Sequence, residues 1–365
     1  MPSGKLVALL GFKKAIVAGL LTMAAGAFLF LPAAAVPSFP FFMLALSVLA
    51  AGDTCLQVSG NPYVLAIGNP NTGSSRLNLA QAFNTLGSTL APFVGAWFIF
   101  GSSPTPPNEL HRLSSSALRQ HRLHEAASVN LPYLCIGLSL AAVAVLVALR
   151  KMPAGIQIQR ARDQVEFYAS IWGNRQVVLG AIGIFVYVGA EITIGSFLVN
   201  YFNQPYIAGL STKDAAGYVT LYWGGAMLGR FVGSAVLRKV RTGTALAVSA
   251  SIAFLLVSNS ICSSGRLAMW SIILVGLFNS IMFPGLFALG IENLGAMTGK
   301  AAGVLMAAAV GGAIIPVLQG ALADAIGIHL SFILPAICYI YVALYAWSRS
   351  KPEGSLRLVL GRPDQ

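Results

Sequence analysis

The stretch Asn61-Pro62-Tyr63-Val64-Leu65-Ala66-Ile67-Gly68 returns later as Phe283-Pro284-Gly285-Leu286-Phe287-Ala288-Leu289-Gly290, with its proline 222 residues on, at 284 against 62. A short polar loop with one basic residue follows each copy, Arg76 in the first and Lys300 in the second. Each loop leads into an apolar run marked Gly, Pro, Gly: Gly87, Pro92, Gly95 and then Gly311, Pro316, Gly320. The second proline pair is offset by 224, at 316 against 92. An offset that holds nearly constant over two consecutive runs is the mark of duplication.

Both copies lie in apolar blocks of the length that crosses a bilayer, about 20 residues for a ~30 Å hydrocarbon core. Ten such blocks can be read, at 15–36, 41–68, 77–101, 131–149, 177–202, 215–237, 245–262, 269–291, 301–323 and 328–347. Of the 365 residues 56% are hydrophobic and 9% charged. A soluble domain carries roughly 25% charged residues. So few charges cannot coat a water-soluble protein, and lipid must be the solvent for most of the surface. The fold class is an all-α multi-pass membrane protein.

A net charge of +12 would suggest nucleic acid in a soluble chain. Here the basic residues fall between apolar blocks, where they report topology, and no nucleic acid is expected. With the N-terminus inside and the blocks alternating, five of the 23 Lys and Arg lie outside: Arg112, Arg119, Arg122, Lys213 and Arg266. Lys and Arg mark the cytoplasmic side. Both termini are therefore expected in the cytoplasm, loop 102–130 outside and loop 151–174 inside.

The repeat also counts helices. The second block matches the eighth, so the unit is six helices. Parallel six-helix repeats are the architecture of major facilitator transporters. Blocks one to four match seven to ten, and five and six lack partners. The expectation is a major facilitator fold lacking the first two of twelve helices, those ahead of Met1. Residues 1–150 then form an incomplete four-span N-terminal bundle, 151–174 a cytoplasmic linker, 175–350 a six-helix bundle and 351–365 a cytoplasmic tail. Gly4-Lys5-Leu6 with Gly11-Phe12-Lys13-Lys14 resembles the facilitator loop G-x-L-x-D-R-x-G-R-R, with Ala8 and Leu9 where its Asp and Arg would stand.

Polar side chains inside a bilayer are costly and face cavities or helix interiors. Asp53, Gln57 and Asn61 are four apart and share a helix face. Asn78, Gln81 and Asn84 are three apart, and are also expected on one face. Neutral amides both donate and accept, which suits a neutral polyhydroxylated ligand such as a sugar; they equally suit helix-to-helix bonding. Asn200 and Asn279 would extend a cavity into the second half. Asp53 and Glu191 are intramembrane carboxylates. Each is a candidate to couple transport to an ion, or to be held by hydrogen bonds or a nearby base. Tyr218, Tyr222 and Trp223 could stack on a sugar or anchor a helix. His121 and His124 with Glu125 are too few for a metal site. None of the four cysteines forms a C-x-x-C pair, and no phosphate loop, nucleophile elbow or zinc motif is present. No enzyme, cofactor or metal is expected.

Leu56-Gln57-Val58-Ser59-Gly60-Asn61-Pro62-Tyr63, and Arg76-Leu77-Asn78-Leu79-Ala80-Gln81-Ala82-Phe83-Asn84 running on to Gly87, resemble the fucose permease and glucose/galactose permease family of bacterial facilitators. Stretches 191–201, 222–231 and 278–284 resemble it too. The resemblance implies uptake of a hexose or deoxyhexose across the bacterial inner membrane, driven by protons or sodium. It also implies a sugar bound at the midplane between two rocking halves. A glutamate that matters for proton coupling in fucose permease is replaced by Gln57, as in the glucose/galactose branch, which points to glucose or galactose. The family's sugar-contacting Gln and Asn fall on Gln81 and Asn84. Asp53 stands where an uncharged residue is expected. The first helix of fucose permease supplies a further functional Asp, and that helix is expected to be among the two lacking here. The substrate-binding candidates are Gln57, Asn61, Gln81, Asn84, Asn78 and Asn279, and the ion-coupling candidates Asp53 and Glu191. The chain is expected to act as a monomer. Facilitated diffusion, efflux of another small molecule, or an inactive truncated membrane protein are the alternatives.

Overall fold

The computed structural model describes residues 2–36, 38–99, 114, 129–151 and 171–350. Among these the regular structure is helical throughout. Ten rods follow one another: α1 (Pro2–Ala35), α2 (Phe39–Ala66), α3 (Gly73–Ile99), α4 (Asn130–Leu149), α5 (Arg175–Phe202), α6 (Thr212–Val236), α7 (Thr242–Cys262), α8 (Gly265–Ile291), α9 (Thr298–Ile326) and α10 (Ile328–Ser348). Each coincides with one apolar block to within a few residues. The exception is α1, which begins well before its block and breaks at Gly11, where φ is 80°. Only glycine takes that backbone conformation without strain.

Eight of the ten are long and apolar enough to cross a membrane. The other two, α3 and α6, have the length, at 27 and 25 residues. Asn78, Gln81 and Asn84 in the one and Lys213, Asp214 and Arg230 in the other dilute their hydropathy. These same two helices are joined through their polar side chains, as described below.

The duplication is visible in the backbone. Helix α2 ends at Ala66, a 3₁₀ turn covers Pro70–Thr72, and α3 starts at Gly73. Helix α8 ends at Ile291, a 3₁₀ turn covers Gly295–Met297, and α9 starts at Thr298. All three landmarks recur at one offset of 225, for example 298 against 73.

Prolines account for two interruptions. A proline has no N–H for the carbonyl four residues back, and its ring clashes there. Helix α8 breaks at Ser280 and Ile281, just before Pro284, and α10 at Phe332, just before Pro335. A carbonyl freed inside lipid needs another partner, and this requirement shapes the polar core.

The described chain divides into two compact units. One contains residues 1–63 and 87–161. Within it Ile16, Leu20 and Ala144 are buried together, with Leu56, Tyr63, Leu140 and Val147 packed against them. Phe30 stacks on Tyr133, ring centroids 3.9 Å apart. Helices α1 and α2 approach backbone to backbone: a Cβ on Gly52 would lie 2.5 Å from the Met23 nitrogen and 2.8 Å from the Gly19 carbonyl oxygen. Small residues permit such contact in lipid, where the hydrophobic effect supplies no drive between helices. Gly52→Val is therefore expected to destabilise the protein by about 1–3 kcal/mol, the usual cost of overpacking. Thermal unfolding in detergent measures this, and a melting temperature equal to that of the unmodified chain would refute the close contact.

The second unit contains residues 64–86 and 162–365. Helix α5 runs through its centre and packs on α6, α8, α9 and α10. Its largest fully buried side chains include Tyr187, Tyr201, Tyr222 and Tyr339. Four buried tyrosines demand hydroxyl partners, and these partners form much of the candidate site.

Candidate functional site

In the first unit the stripe on α2 forms as the spacing predicts. Gln57 Nε2 donates to Asp53 Oδ2 at 3.5 Å, and Asn61 Nδ2 donates to Gln57 Oε1 at 3.4 Å. The result is a ladder of carboxylate, amide and amide at successive turns. Asp53 and Gln57 are half-buried and Asn61 is buried. Both bonds are long, so the ladder orients the three groups while holding them weakly.

In the second unit Arg76 fixes the turn between α2 and α3. Its guanidinium donates to the carbonyls of Val64, Leu65 and Asn69 and to Thr72 Oγ1, at 3.3, 2.9, 2.8 and 2.6 Å. The carbonyls at the end of α2 lack partners within the helix, and a cation there also meets the negative end of the helix dipole. The register of α3 is thereby set from its first turn.

The α3 stripe does not keep one face. A spacing of three falls short of the 3.6-residue turn, so each step drifts by about 60°. Asn78 is fully buried, Gln81 half-buried and Asn84 exposed. Asn78 Nδ2 donates to the Arg230 carbonyl at 2.7 Å, tying α3 to α6. Lower on the same pair of helices Ser75 Oγ donates to the Ser234 carbonyl at 2.6 Å, and Ser234 Oγ returns a bond to the Ser75 carbonyl at 3.1 Å. Phe83 meets Phe231 edge-on at 5.8 Å.

Glu191 on α5 is buried and faces Arg230 on α6 across 3.8 Å. Arg230 NH1 also approaches the Gln81 carbonyl at 3.5 Å. Taking an ion pair out of water is offset only by excellent geometry and by satisfying the remaining donors and acceptors. Here Glu191 Oε1 and Arg230 Nε are both buried with no hydrogen-bond partner among the described residues.

Asn279 lies at the break in α8. Its side chain is closed at both ends: Nδ2 donates to the Tyr222 hydroxyl, and Oδ1 accepts from the Tyr339 hydroxyl, each at 2.8 Å. The Tyr187 hydroxyl donates to its backbone carbonyl, also at 2.8 Å, supplying a partner where the helix is interrupted. Tyr222 in turn donates to the Glu191 carbonyl at 3.2 Å. One continuous polar string thus joins α10, α8, α5, α6 and α3.

Asn200 is exposed and lines a separate cavity of about 470 Å³ with Gln204, Tyr206 and Asp324. Trp223 packs over Gly195, and Tyr218 lies edge-on to Phe202 and Trp270. Pro92, Gly95, His121, His124 and Glu125 fall outside the residues whose side chains the structure describes. Among the described residues no three His, Cys, Asp or Glu gather as a metal site would require.

Sequence reasoning overlooked Arg230, Tyr187 and Tyr339. Arg230 lies near the end of its apolar block, 215–237. It is six residues from the last residue of α6, yet its side chain is only 14% exposed. Tyr187 precedes Glu191 by one turn, and that spacing was the available signal for it.

The family model "Major Facilitator Superfamily" matches residues 1–310. The "Glucose/galactose transporter" of Brucella abortus is 47% identical over 351 residues, 96% of this chain and 82% of that one. The chain belongs to the major facilitator superfamily, in its fucose and glucose/galactose permease family. A second member of this family, the "L-fucose-proton symporter" of Escherichia coli K12, is 33% identical over 96% of this chain and 81% of its own. Among solved members, the E. coli fucose:proton symporter FucP superposes with a TM-score of 0.90 at 30% identity, covering 96% of this chain and 87% of its own. FucP in the outward conformation also gives 0.90, at 31% identity, over 96% and 86% of the two chains. As a facilitator with eight long apolar helices among its described residues, the chain is a multi-span membrane protein.

Proposed function

We propose that the chain imports a neutral hexose, glucose or galactose, together with a coupling proton or sodium ion, by alternating access in a bacterial inner membrane. The observation that carries this reading is the 47% identity, over nearly the whole chain, to a relative named for glucose and galactose transport. Gln57 supports it further, because its uncharged amide stands in the α2 ladder beside Asn61. Amides and hydroxyls exchange hydrogen bonds without a net charge to compensate. In this reading Gln57, Asn61, Gln81 and Asn84 meet the sugar, while Asp53 and Glu191 are the carboxylates available to a cation. Asn78 and Asn279 serve the sugar only indirectly, since helix-joining bonds hold both. Residues 1–150 and 175–350 act as the two halves, with both termini cytoplasmic.

The test is uptake of radiolabelled glucose and galactose by transport-deficient cells expressing the chain. Accumulation above the external concentration is expected, and it is lost with an uncoupler or on removal of sodium. Uptake that only equilibrates would replace symport by facilitated diffusion. Membrane-inserted protein that neither takes up nor binds either sugar would end the sugar reading.

A further inference from the structure

Arg230 touches both kinds of candidate. Its guanidinium faces the Glu191 carboxylate at 3.8 Å and the Gln81 carbonyl at 3.5 Å. Its own carbonyl is gripped by Asn78 at 2.7 Å. The serine exchange at Ser75 and Ser234 and the Phe83–Phe231 contact fix α3 against α6 on either side of it. The side chain therefore sits in a rigid frame, with one acceptor on α5 and the other on α3.

The frame leaves the arginine incompletely satisfied. Glu191 Oε1 and Arg230 Nε are buried with no hydrogen-bond partner among the described residues. A buried guanidinium with an unmet donor goes to whichever acceptor carries more negative charge. While Glu191 is charged, the pull is toward α5. Once a proton or sodium ion neutralises Glu191, the pull shifts toward α3, where Arg230 already approaches the Gln81 carbonyl, an acceptor it shares with Thr85 Oγ1 at 2.9 Å. The other titratable groups facing Glu191 are Tyr187 one turn earlier, Tyr222 of α6 and Tyr339 of α10. Their hydroxyls are already engaged with Asn279 or the Glu191 backbone. None of them can replace Arg230 as the counter-charge.

We propose that Arg230 is a positioning residue that relays the charge state of Glu191 to the turn of α3 carrying Gln81 and Asn84, so that cation binding and sugar affinity change together. The inference rests on the sugar-symport reading. It adds to that reading the element through which the two ligands are linked. Linkage is reciprocal: if the cation tightens sugar, sugar must tighten the cation by the same factor.

The experiment uses the full chain in proteoliposomes and measures sugar counterflow, which needs no net cation movement, at low and saturating cation. The unmodified chain is expected to show a sugar KM at least ten-fold lower at saturating cation. In R230Q and in E191Q counterflow persists, but the KM no longer follows the cation, and gradient-driven accumulation is lost. R230K keeps the charge but not the two-pronged geometry. It is expected to fold and to retain counterflow, with the cation effect on KM cut at least three-fold, and it keeps the test open should R230Q fail to reach the membrane. A KM that follows the cation in R230Q or R230K as it does in the unmodified chain overturns the inference alone. Absence of glucose and galactose counterflow in the unmodified chain overturns the transport reading, and the inference with it.

Discussion

Asn279→Ala is expected to lower the stability of the protein by about 2 kcal/mol while leaving the sugar KM of the folded fraction within about three-fold of normal. Asn279 makes two side-chain bonds, to Tyr222 and Tyr339, both at 2.8 Å and both fully buried. An orphaned buried polar group costs about 1–3 kcal/mol in soluble proteins. In membranes such bonds average about 0.6 kcal/mol, because the unfolded chain in lipid also finds partners. The Tyr339 hydroxyl would lose its acceptor, whereas Tyr222 keeps its bond to the Glu191 carbonyl. A small cavity adds to the loss. Thermal unfolding in detergent and counterflow kinetics on the same preparation separate two roles. A clasp between helices predicts a lower melting temperature with KM preserved. A sugar ligand predicts the reverse, and that result would return Asn279 to the binding site.

Asn279 also shows where sequence reading succeeds and where it stops. Its position inside an apolar block, just before a repeated proline, marked it as polar and special. The helix itself was legible because burial in lipid leaves the whole block apolar, and length alone then identifies a span. What could not be read was the partner. Tyr187, Tyr222 and Tyr339 come from three helices. Their hydroxyls add little to a pattern dominated by apolar rings, so only the folded arrangement shows that they converge. Asp53, Gln57 and Asn61 lie at the opposite extreme. A spacing of four fixes their alignment on one face whatever the tertiary structure, and hydrogen bonds link them there.

The α3 stripe falls between these cases. A spacing of three looks like one face over one step but drifts off it over two. Hence Asn78 is sealed against α6 while Asn84 is exposed. Arg230 was overlooked for a related reason. A place near the end of an apolar block does not tell how the folded chain covers the side chain. In the fold its side chain is only 14% exposed, held between Glu191 of α5 and the Gln81 carbonyl of α3.

The same drift decides the second large effect. Asn84→Ala is expected to raise the sugar KM in counterflow about ten-fold, with membrane yield and melting temperature unchanged. A side-chain amide that exchanges one or two hydrogen bonds with sugar hydroxyls contributes about 0.5–1.5 kcal/mol for each. Each 1.4 kcal/mol is about a ten-fold change in affinity. Substitutions at exposed positions usually alter stability by less than about 0.5 kcal/mol, and Asn84 is exposed in the described structure. Asn78→Ala should behave in the opposite way, because its amide holds the Arg230 carbonyl and its side chain is fully buried. Losing it weakens the joint between α3 and α6, so stability falls first and affinity only as a consequence. The contrast matters more than either value alone. Two asparagines of equal chemistry, two steps apart on one helix, would report ligand binding and helix packing separately. Unchanged sugar affinity in Asn84→Ala would remove Asn84 from the binding surface and leave Gln81 and the α2 ladder as the remaining candidates.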